Sequence, residues 1–215
     1  MTETKNVTKC IDLLTSRYPS LGQLREKIEE AYYVIEESYL NDGKLLVAGN
    51  GGSAADSEHI AGELMKRFQK PRPIDPKFAK KLIEADEQRG KELAQNLERS
   101  LMAIPLVAHE ALTTAYINDV DGYGVFAQQL FGFGRKGDVF FAISTSGNSE
   151  NLINAAVVAK AMDIKIIALT GMKGGKLADF ADVLINVPET ETYIVQELHL
   201  PIYHCICMML EERFF

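Results

Sequence analysis

The sequence predicts an α/β protein whose doubly wound parallel sheet is flanked by helices on both faces. The first observation is that short apolar runs, each suited to one buried strand, recur along the chain. The second is that stretches with apolar residues at helical spacing separate these runs. The third is size, because 215 residues with 47% hydrophobic content can bury a core without disulfides or metal. We expect a single domain spanning residues 1–215.

The first half of the chain supplies helices and one strand. N-terminal helices are expected over 1–42, because 21–40 repeat apolar residues at helical spacing and Asn-Asp-Gly at 41–43 ends the pattern. The apolar run Lys-Leu-Leu-Val-Ala-Gly at 44–49 predicts a strand buried on both faces. A helix is predicted over 53–68, directly after it.

The second half of the chain continues the alternation. Its apolar runs, such as Gly-Asp-Val-Phe-Phe-Ala-Ile-Ser-Thr, are too short for membrane helices and suit buried strands. Strands are predicted over 101–107, 137–145, 164–171 and 181–188; helices are predicted over 108–117, 122–133 and 191–213, with a turn and a helix over 146–163.

Residues 69–100 differ from the rest of the chain. They are rich in charge, begin with three prolines and contain no run suited to a strand. Four apolar residues could form one helical stripe with Gly90 as a break: Phe78, Leu82, Leu93 and Leu97. We interpret the segment as a helical insertion within the domain, because so short a segment cannot build a core of its own.

Charge and cysteine content argue against several classes of protein. The net charge of −7 disfavours general nucleic-acid binding, although a local cationic pocket for a small phosphate remains compatible with it. Cys10, Cys205 and Cys207 have no framework spacing, which suits a reducing compartment. The first residues show no signal-peptide pattern, and no run reaches the roughly 18 apolar residues of a membrane helix. We expect a cytoplasmic protein that binds neither nucleic acid nor membrane.

A glycine-rich turn follows the first predicted strand. It consists of Gly49, Asn50, Gly51, Gly52 and Ser53, and a helix begins beside it. The start of a helix presents unpaired N–H groups and a partial positive charge, which bind phosphates or carboxylates. A structural turn with Ser53 as the helix cap explains the pattern equally well. This turn alone leaves both interpretations open.

A hydroxyl-rich turn follows a second predicted strand. Ser144, Thr145, Ser146 and Ser149 precede a helix at the carboxyl end of that strand, where open α/β sheets bind their ligands. A capped turn needs only one of these hydroxyls, so the cluster favours a phosphate site. Neither turn has the spacing of a Walker loop or of a dinucleotide fingerprint. We therefore expect a small phosphorylated metabolite rather than a nucleotide.

Candidate acid–base and metal groups lie on two predicted helices. His59 and Glu63 are four residues apart and share one helix face. This spacing suits a divalent metal or an oriented catalytic carboxylate, and it is equally typical of a solvated surface pair. On the last helix, Gln196 and His204 lie on one side, about 12 Å apart along the axis. They would need to lean inwards to reach one site.

Four further residues carry weaker expectations. His199 is expected at the surface or at an interface, and Pro201 could kink the last helix. The acidic segment 117–124 predicts a loop. Its Asn118 and Asp119 could hold sugar hydroxyls, or the Asp-Gly pair could simply form a turn.

Five stretches together resemble the sugar isomerase (SIS) domain family and, within it, the phosphoheptose isomerases: GNGGSAADSEHIAGEL, IND followed by GYG, AISTSGNSENLINAA, ALTGMKGGKLADFAD and VQELHLPIYH. The resemblance covers nearly the whole chain except 69–100, and its motifs are specific in combination. It implies one SIS-type domain over 1–215. The implied activity interconverts sedoheptulose 7-phosphate and D-glycero-D-manno-heptose 7-phosphate, in a homotetramer with sites at subunit contacts.

The resemblance also implies roles for individual residues. Glu63 and His204 match the family's proton-transferring pair. The zinc ligands of metal-carrying members match His59, Glu63, Gln196 and His204, so zinc is the expected cofactor. We place Arg67 beside the acidic pair as a supporting charge. The expected substrate-binding residues are Asn50, Gly51, Gly52, Ser53, Glu63, Arg67, Asn118, Asp119, Ser144, Thr145, Ser146, Ser149 and Gln196.

Ketose–aldose isomerisation needs a base for the carbon-bound proton and an acid for oxygen, since it passes through an enediolate. Two alternatives remain. Some similar proteins are non-catalytic phosphosugar-binding regulators of the replication-initiator-associating type, which lack part of the acid–base set. The substrate could also be a different phosphosugar. The presence of both Glu63 and His204 favours an enzyme.

Overall fold

Five strands form one all-parallel sheet in the computed structural model, which describes the backbone of residues 2–215 and the side chains from Val7 onwards. The strand order is β2-β1-β3-β4-β5. The strands are β1 Leu45–Gly49, β2 Ala103–Pro105, β3 Val139–Ser144, β4 Lys165–Thr170 and β5 Val183–Asn186. The predicted doubly wound sheet is therefore confirmed, and each predicted strand is present with narrower bounds.

Helices cover both faces of this sheet. They are α1 Thr2–Arg17, α2 Arg25–Leu40, α3 Gly52–Met65, α4 Pro76–Ala85, α5 Glu87–Asn96, α6 Glu110–Asp119, α7 Val125–Phe133, α8 Glu150–Ala161 and α9 Thr192–Phe214. Alternate strand residues point to opposite faces. Phe141 and Ile143 of β3 pack in the core with α1, α2, α3 and α9, whereas Phe140 and Ala142 pack with α7 and α8. None of the helices in the described part of the chain is long and apolar enough to cross a membrane.

Helix α3 ends earlier than the sequence predicts. It stops at Met65 rather than 68, and Lys66 is extended, with φ −141° and ψ −179°. The carbonyl of Leu64 accepts hydrogen bonds from Arg72 Nη1 at 2.8 Å and from Leu101 N at 3.0 Å. These distant donors replace the next helical N–H groups, and the chain can therefore leave the helix here.

The acidic segment 117–124, for which the sequence predicts a loop, is mostly in regular structure. Asn118 and Asp119 are the last two residues of α6, and Gly122–Gly124 forms a short 3-10 turn. The carboxylate of Asp121 accepts a hydrogen bond from Tyr123 N at 3.1 Å and so caps that turn. Helix and turn together leave only two residues outside regular structure.

Helix α9 is continuous through Pro201 and mostly buried. The expectation of a surface or interface position for His199 is wrong, because the residue is fully buried. The cause is the position of α9, which packs between α1 and the sheet and so encloses its middle turns on several sides.

The insertion 69–100 is helical, as predicted, and forms a hairpin of α4 and α5. The break lies at Asp86 rather than Gly90. The Asp86 carboxylate accepts a hydrogen bond from Arg89 N and so starts α5. Gly90 serves another purpose, because a Cβ there would lie 2.2 Å from the carbonyl oxygen of Leu82. The glycine lets the two helices approach each other closely.

The apolar stripe expected along the insertion does not form a core. Phe78, Leu93 and Leu97 are each between 40% and 48% exposed. The base of the hairpin is closed by a hydrogen bond of 2.8 Å from Arg99 N to the carbonyl of Arg72. The insertion is therefore anchored at its base, while its apolar residues remain accessible in the single chain.

Candidate active site

The glycine-rich turn connects β1 to α3 at the carboxyl edge of the sheet. Gly51 is the N-cap residue, and Ser53 is buried inside the first turn, so the alternative in which Ser53 caps the helix is not observed. A Cβ on Gly52 would lie 2.6 Å from Nε2 of Gln196. The glycine therefore allows the amide of α9 to rest on the start of α3, where the helix presents partial positive charge.

The hydroxyl-rich turn follows β3 and lies beside the first turn, because β1 and β3 are neighbours in the sheet. The Ser144 and Ser149 hydroxyls are 3.1 Å apart, and Ser146 Oγ accepts a hydrogen bond from Asn148 N. The hydroxyl of Thr145 makes no hydrogen bond with the described residues. It is thus free to donate to a ligand.

Two asparagines join the turns. Asn50 Nδ2 donates to Asn151 Oδ1 at 3.0 Å, and Asn151 Nδ2 donates to Asn50 Oδ1 at 2.9 Å. Sequence reasoning missed Asn151, because nothing in the spacing shows that it would face Asn50 across two strands. This reciprocal pair fixes the width of the opening between the two turns.

A cavity of about 280 Å³ opens beside the hydroxyl-rich turn. It is lined by Thr145, Ser146, Asn148, Gly171, Met172, Lys173, Glu189 and Thr190. Three hydroxyl-bearing residues and Lys173 are therefore among those that line a space that a small phosphorylated molecule could enter.

Glu63 and His204 both contact the same ring nitrogen of His59. His59 Nε2 is 3.2 Å from Glu63 Oε1 and 3.5 Å from His204 Nε2. The carboxylate comes from α3 and the second imidazole from α9, which pack against each other. The side chains of His204 and Gln196 do lean toward α3, as convergence on one site required.

Tyr203 and Asp56 orient His59. Tyr203 donates its hydroxyl proton to Asp56 Oδ1 at 3.1 Å, and the hydroxyl oxygen of Tyr203 lies 3.0 Å from His59 Nδ1. Since the one proton of the Tyr203 hydroxyl goes to Asp56, the Tyr203 oxygen accepts a hydrogen bond from Nδ1–H of His59, and Nε2 of the same ring faces Glu63 and His204. Sequence reasoning missed both residues, although Asp56 lies one helical turn before His59.

The surroundings of His204 favour its uncharged imidazole. Burial, followed by the neighbouring His59, lowers the pKa of His204 below its ordinary value, although Glu63 acts in the opposite direction. Burial raises the pKa of Asp56, and the Tyr203 hydrogen bond partly offsets it. His204 is therefore available as a neutral base or hydrogen-bond partner at neutral pH.

The predicted metal ligands only partly fit a metal ion. Within the described residues, no group of three or more His, Cys, Asp and Glu side chains is arranged to hold one. The donor types nevertheless suit zinc, because His59 Nε2 and the carboxylate oxygen Oε1 of Glu63 lie 3.2 Å apart. His59, Glu63 and His204 are close together, and the amide of Gln196 rests against Gly52 at the start of α3, but the four do not form a ready-made site.

Three predicted substrate residues lie apart from this cluster. Asn118 donates to Asp119 Oδ1 at 2.8 Å, so their side chains bind each other on exposed α6. Arg67 is 65% exposed and pairs with Glu98 of the insertion at 3.3 Å. Lys66, rather than Arg67, lies next to Glu63, with Nζ 3.5 Å from Oε2. Whether Arg67, Asn118 and Asp119 hold substrate stays a prediction.

Known proteins share this sequence and fold. The SIS domain family matches residues 19–100 and 92–171. A phosphoheptose isomerase of Sulfurimonas denitrificans is 40% identical over 192 residues, which cover 89% of this chain and 85% of the relative. The structure of a phosphoheptose isomerase from Neisseria gonorrhoeae superimposes with a TM-score of 0.71 at 32% identity, covering 96% of this chain and 97% of that one. The structure of a phosphoheptose isomerase from Francisella tularensis superimposes with a TM-score of 0.73 at 26% identity, covering 98% of this chain and 99% of that one. The chain belongs to the SIS domain family and, within it, to the phosphoheptose isomerases.

Proposed function

We infer that the protein is an isomerase that interconverts sedoheptulose 7-phosphate and D-glycero-D-manno-heptose 7-phosphate through an enediolate. The observation that carries this inference is the meeting of Glu63 and His204 around His59, from two different helices. Such a pair can move a proton between neighbouring carbons, which is the step that ketose–aldose isomerisation requires.

We propose that Glu63 takes the carbon-bound proton and that His204 moves the proton of the adjacent oxygen, although the two roles could be exchanged. The Glu63 carboxylate contacts His59 Nε2 at 3.2 Å and the exposed Lys66 Nζ at 3.5 Å, and its two oxygens can accept further hydrogen bonds from a substrate. The neutral state of His204 lets it accept and return a proton without first losing one. Gln196 of α9, whose amide lies against the start of α3, could hold a substrate hydroxyl as well as a metal.

The two turns would bind the phosphate and fix the reacting carbons. Thr145 has a free hydroxyl, and Ser144, Ser146 and Ser149 supply further hydroxyls at the start of α8. Asn50, Gly51, Gly52 and Ser53 form the opposite wall at the start of α3. Binding energy from a remote phosphate lowers the barrier at the reacting carbons by holding them in position.

Zinc is proposed as a cofactor, with His59, Glu63, Gln196 and His204 as its ligands. The support is the donor set, in which imidazole nitrogen and carboxylate oxygen are common zinc ligands. Bound zinc would polarise the carbonyl and hydroxyl oxygens of the sugar. Metal analysis of protein purified without added metal tests this proposal, and absence of zinc together with unchanged turnover after chelation would contradict it.

We also propose a cytoplasmic homotetramer with sites at subunit contacts. A groove of about 240 Å³ reaches His204 from the side of α1, and the exposed side chains of Leu13 and Leu200 line it. Apolar side chains at a groove that leads to the acid–base pair suit contact with another copy. Light scattering of the purified protein measures the mass, and a monomer at working concentration would contradict the proposal.

Incubation of the purified protein with sedoheptulose 7-phosphate tests the function. Nuclear magnetic resonance should show the aldose signals appearing until equilibrium is reached. If no product forms, the regulator alternative or a different phosphosugar gains support. A thermal-shift panel of phosphosugars, run with and without turnover measurements, then separates those two.

A further inference from the structure

A buried ion pair lies behind the acid–base residues. Arg72 and Glu211 are 0% and 2% exposed, and their charged groups are 2.9 Å apart. Burying two charges is unfavourable unless every hydrogen-bonding group finds a partner. The partners of this pair therefore indicate what it holds in place.

Arg72 binds the last turn of α3. Its Nη1 donates to the carbonyl of Leu64 at 2.8 Å, and its Nη2 donates to the carbonyl of Glu63 at 3.1 Å. The carbonyl groups at the end of a helix lack helical N–H partners, and the guanidinium group supplies donors in place of those partners. The ring of Phe215 covers the guanidinium at 4.4 Å. Arg72 thus fixes the backbone from which the Glu63 side chain extends.

Glu211 binds the segment that follows α3. Its two carboxylate oxygens accept hydrogen bonds from Phe68 N and Gln69 N, both at 2.8 Å. The ring of Phe68 packs against the ring of His204, with centroids 5.4 Å apart. Glu211 therefore fixes the residue that packs against the second member of the acid–base pair.

We propose that Arg72 and Glu211 are positioning residues for catalysis, acting on Glu63 through the end of α3 and on His204 through Phe68. The inference rests on the proposed function of Glu63 and His204. It goes beyond that function because neither Arg72 nor Glu211 belongs to the site, and no spacing in the sequence connects them to it. The same pair lies at the base of the insertion, since Arg72 also accepts a hydrogen bond from Arg99 N.

The kinetic test compares Arg72→Lys and Glu211→Gln with Lys44→Met. Lys44 belongs to another largely buried ion pair, with Asp138 at 2.6 Å, at the opposite edge of the sheet. Lysine keeps the charge of Arg72 but loses the planar group that reaches two carbonyls. In both test variants kcat should fall about tenfold to hundredfold with little change in KM, as expected when a supporting contact is lost. Lys44→Met should lower stability while kcat stays at the wild-type value.

A rescue experiment separates positioning from folding. Added guanidinium should restore much of the lost kcat in Arg72→Ala, and it should not restore kcat in Glu63→Gln, which lacks the proposed base itself. The proposal is overturned if the Arg72 and Glu211 variants lose stability to the same extent as Lys44→Met yet keep the wild-type kcat.

Ring resonances of His204 give a readout that does not depend on turnover. The chain has four histidines, so the signals can be assigned with single substitutions. In Glu211→Gln and Arg72→Lys the His204 signals should shift, because the Phe68 ring moves relative to them, whereas in Lys44→Met they should not. Unchanged His204 signals in both test variants would overturn the proposal. If the wild-type protein has no isomerase activity but the His204 signals still shift in the two test variants, only the proposed function is overturned.

Discussion

The two edges of the sheet treat their polar groups differently. At the amino edge, Asp138 accepts hydrogen bonds from Lys44 Nζ at 2.6 Å, Lys44 N at 3.0 Å and Arg135 N at 2.7 Å. Asp182 there accepts from Ile166 N at 2.8 Å and also pairs with two lysines. Each of these carboxylates is surrounded by donors within the chain.

At the carboxyl edge several groups keep unused hydrogen-bonding capacity. His59 Nε2 lies between 3.2 and 3.5 Å from groups of Glu63 and His204 that we propose act on the substrate, and Thr145 has a free hydroxyl. Unpaired polar groups reduce stability, so a fold that retains them at one edge leaves them for a ligand. The amino edge therefore uses its polar groups within the fold, and the carboxyl edge is where we propose that the chemistry takes place.

Among the substitutions at the two edges, that of Glu63 at the carboxyl edge should have the largest effect on turnover. In Glu63→Gln the base is lost, and kcat should fall by about 10³-fold, equivalent to about 4 kcal/mol of barrier, while binding of the phosphosugar is retained. Turnover and calorimetric binding measure the two quantities. Glu58→Gln, at an exposed position of the same helix, is the matched control. Unchanged kcat in Glu63→Gln would remove Glu63 from the mechanism.

Substitution at the amino edge should have the opposite profile. In Lys44→Met the buried Asp138 loses its charged partner, and the free energy of unfolding should fall by about 3 kcal/mol. Since Lys44 lies at the far edge, kcat should stay at the wild-type value. Urea unfolding and turnover check the prediction, and a large loss of kcat without loss of stability would contradict the division between the edges.

The pH dependence of stability tests His199, which lies in α9 with no hydrogen-bond partner for either ring nitrogen among the described residues. Burial lowers its pKa from 6.5 to about 4, although the nearby Thr170 carbonyl acts in the opposite direction. In the unfolded chain the imidazole of His199 takes up a proton near pH 6.5, whereas in the folded protein this imidazole stays neutral down to about pH 4. The free energy of unfolding should therefore hold its full value above pH 6.5 and fall by roughly 3 kcal/mol as the pH drops toward 4.

His199→Phe isolates this contribution. The variant has no imidazole to protonate, so its stability should change less between pH 7 and pH 4 than that of the wild type. Denaturant unfolding at several pH values measures the difference, and identical slopes would show that His199 is not the cause.

The smallest expected effect concerns the hydroxyl-rich turn, which we propose binds the phosphate. Thr145→Val keeps the shape of the side chain but removes the free hydroxyl, and kcat/KM for the phosphosugar should fall by about tenfold to hundredfold, or about 1.5–3 kcal/mol. Thr114→Val on α6 is the control, since its hydroxyl bonds only to its own helix. Wild-type kcat/KM in Thr145→Val would place the phosphate elsewhere.

The sequence predicted the parts of the molecule that depend on local pattern. The strands, the two turns at the carboxyl edge and the position of His59 and Glu63 on one helix followed from apolar runs, glycines and spacing. It did not predict contacts between distant segments, such as Tyr203 with Asp56, because these depend on how α3 and α9 pack. The role of Gly90 was missed for the same reason, since only the approach of α4 to α5 explains it.

Deuterium incorporation tests the central claim most directly. The protein is incubated with sedoheptulose 7-phosphate in heavy water, and the aldose is examined by nuclear magnetic resonance. An enediolate formed by an exchangeable base should place deuterium on the carbon next to the aldehyde, and Glu63→Gln should give neither product nor deuterium. Aldose formation at the wild-type rate in Glu63→Gln, or the absence of aldose with the wild-type protein, would contradict the account.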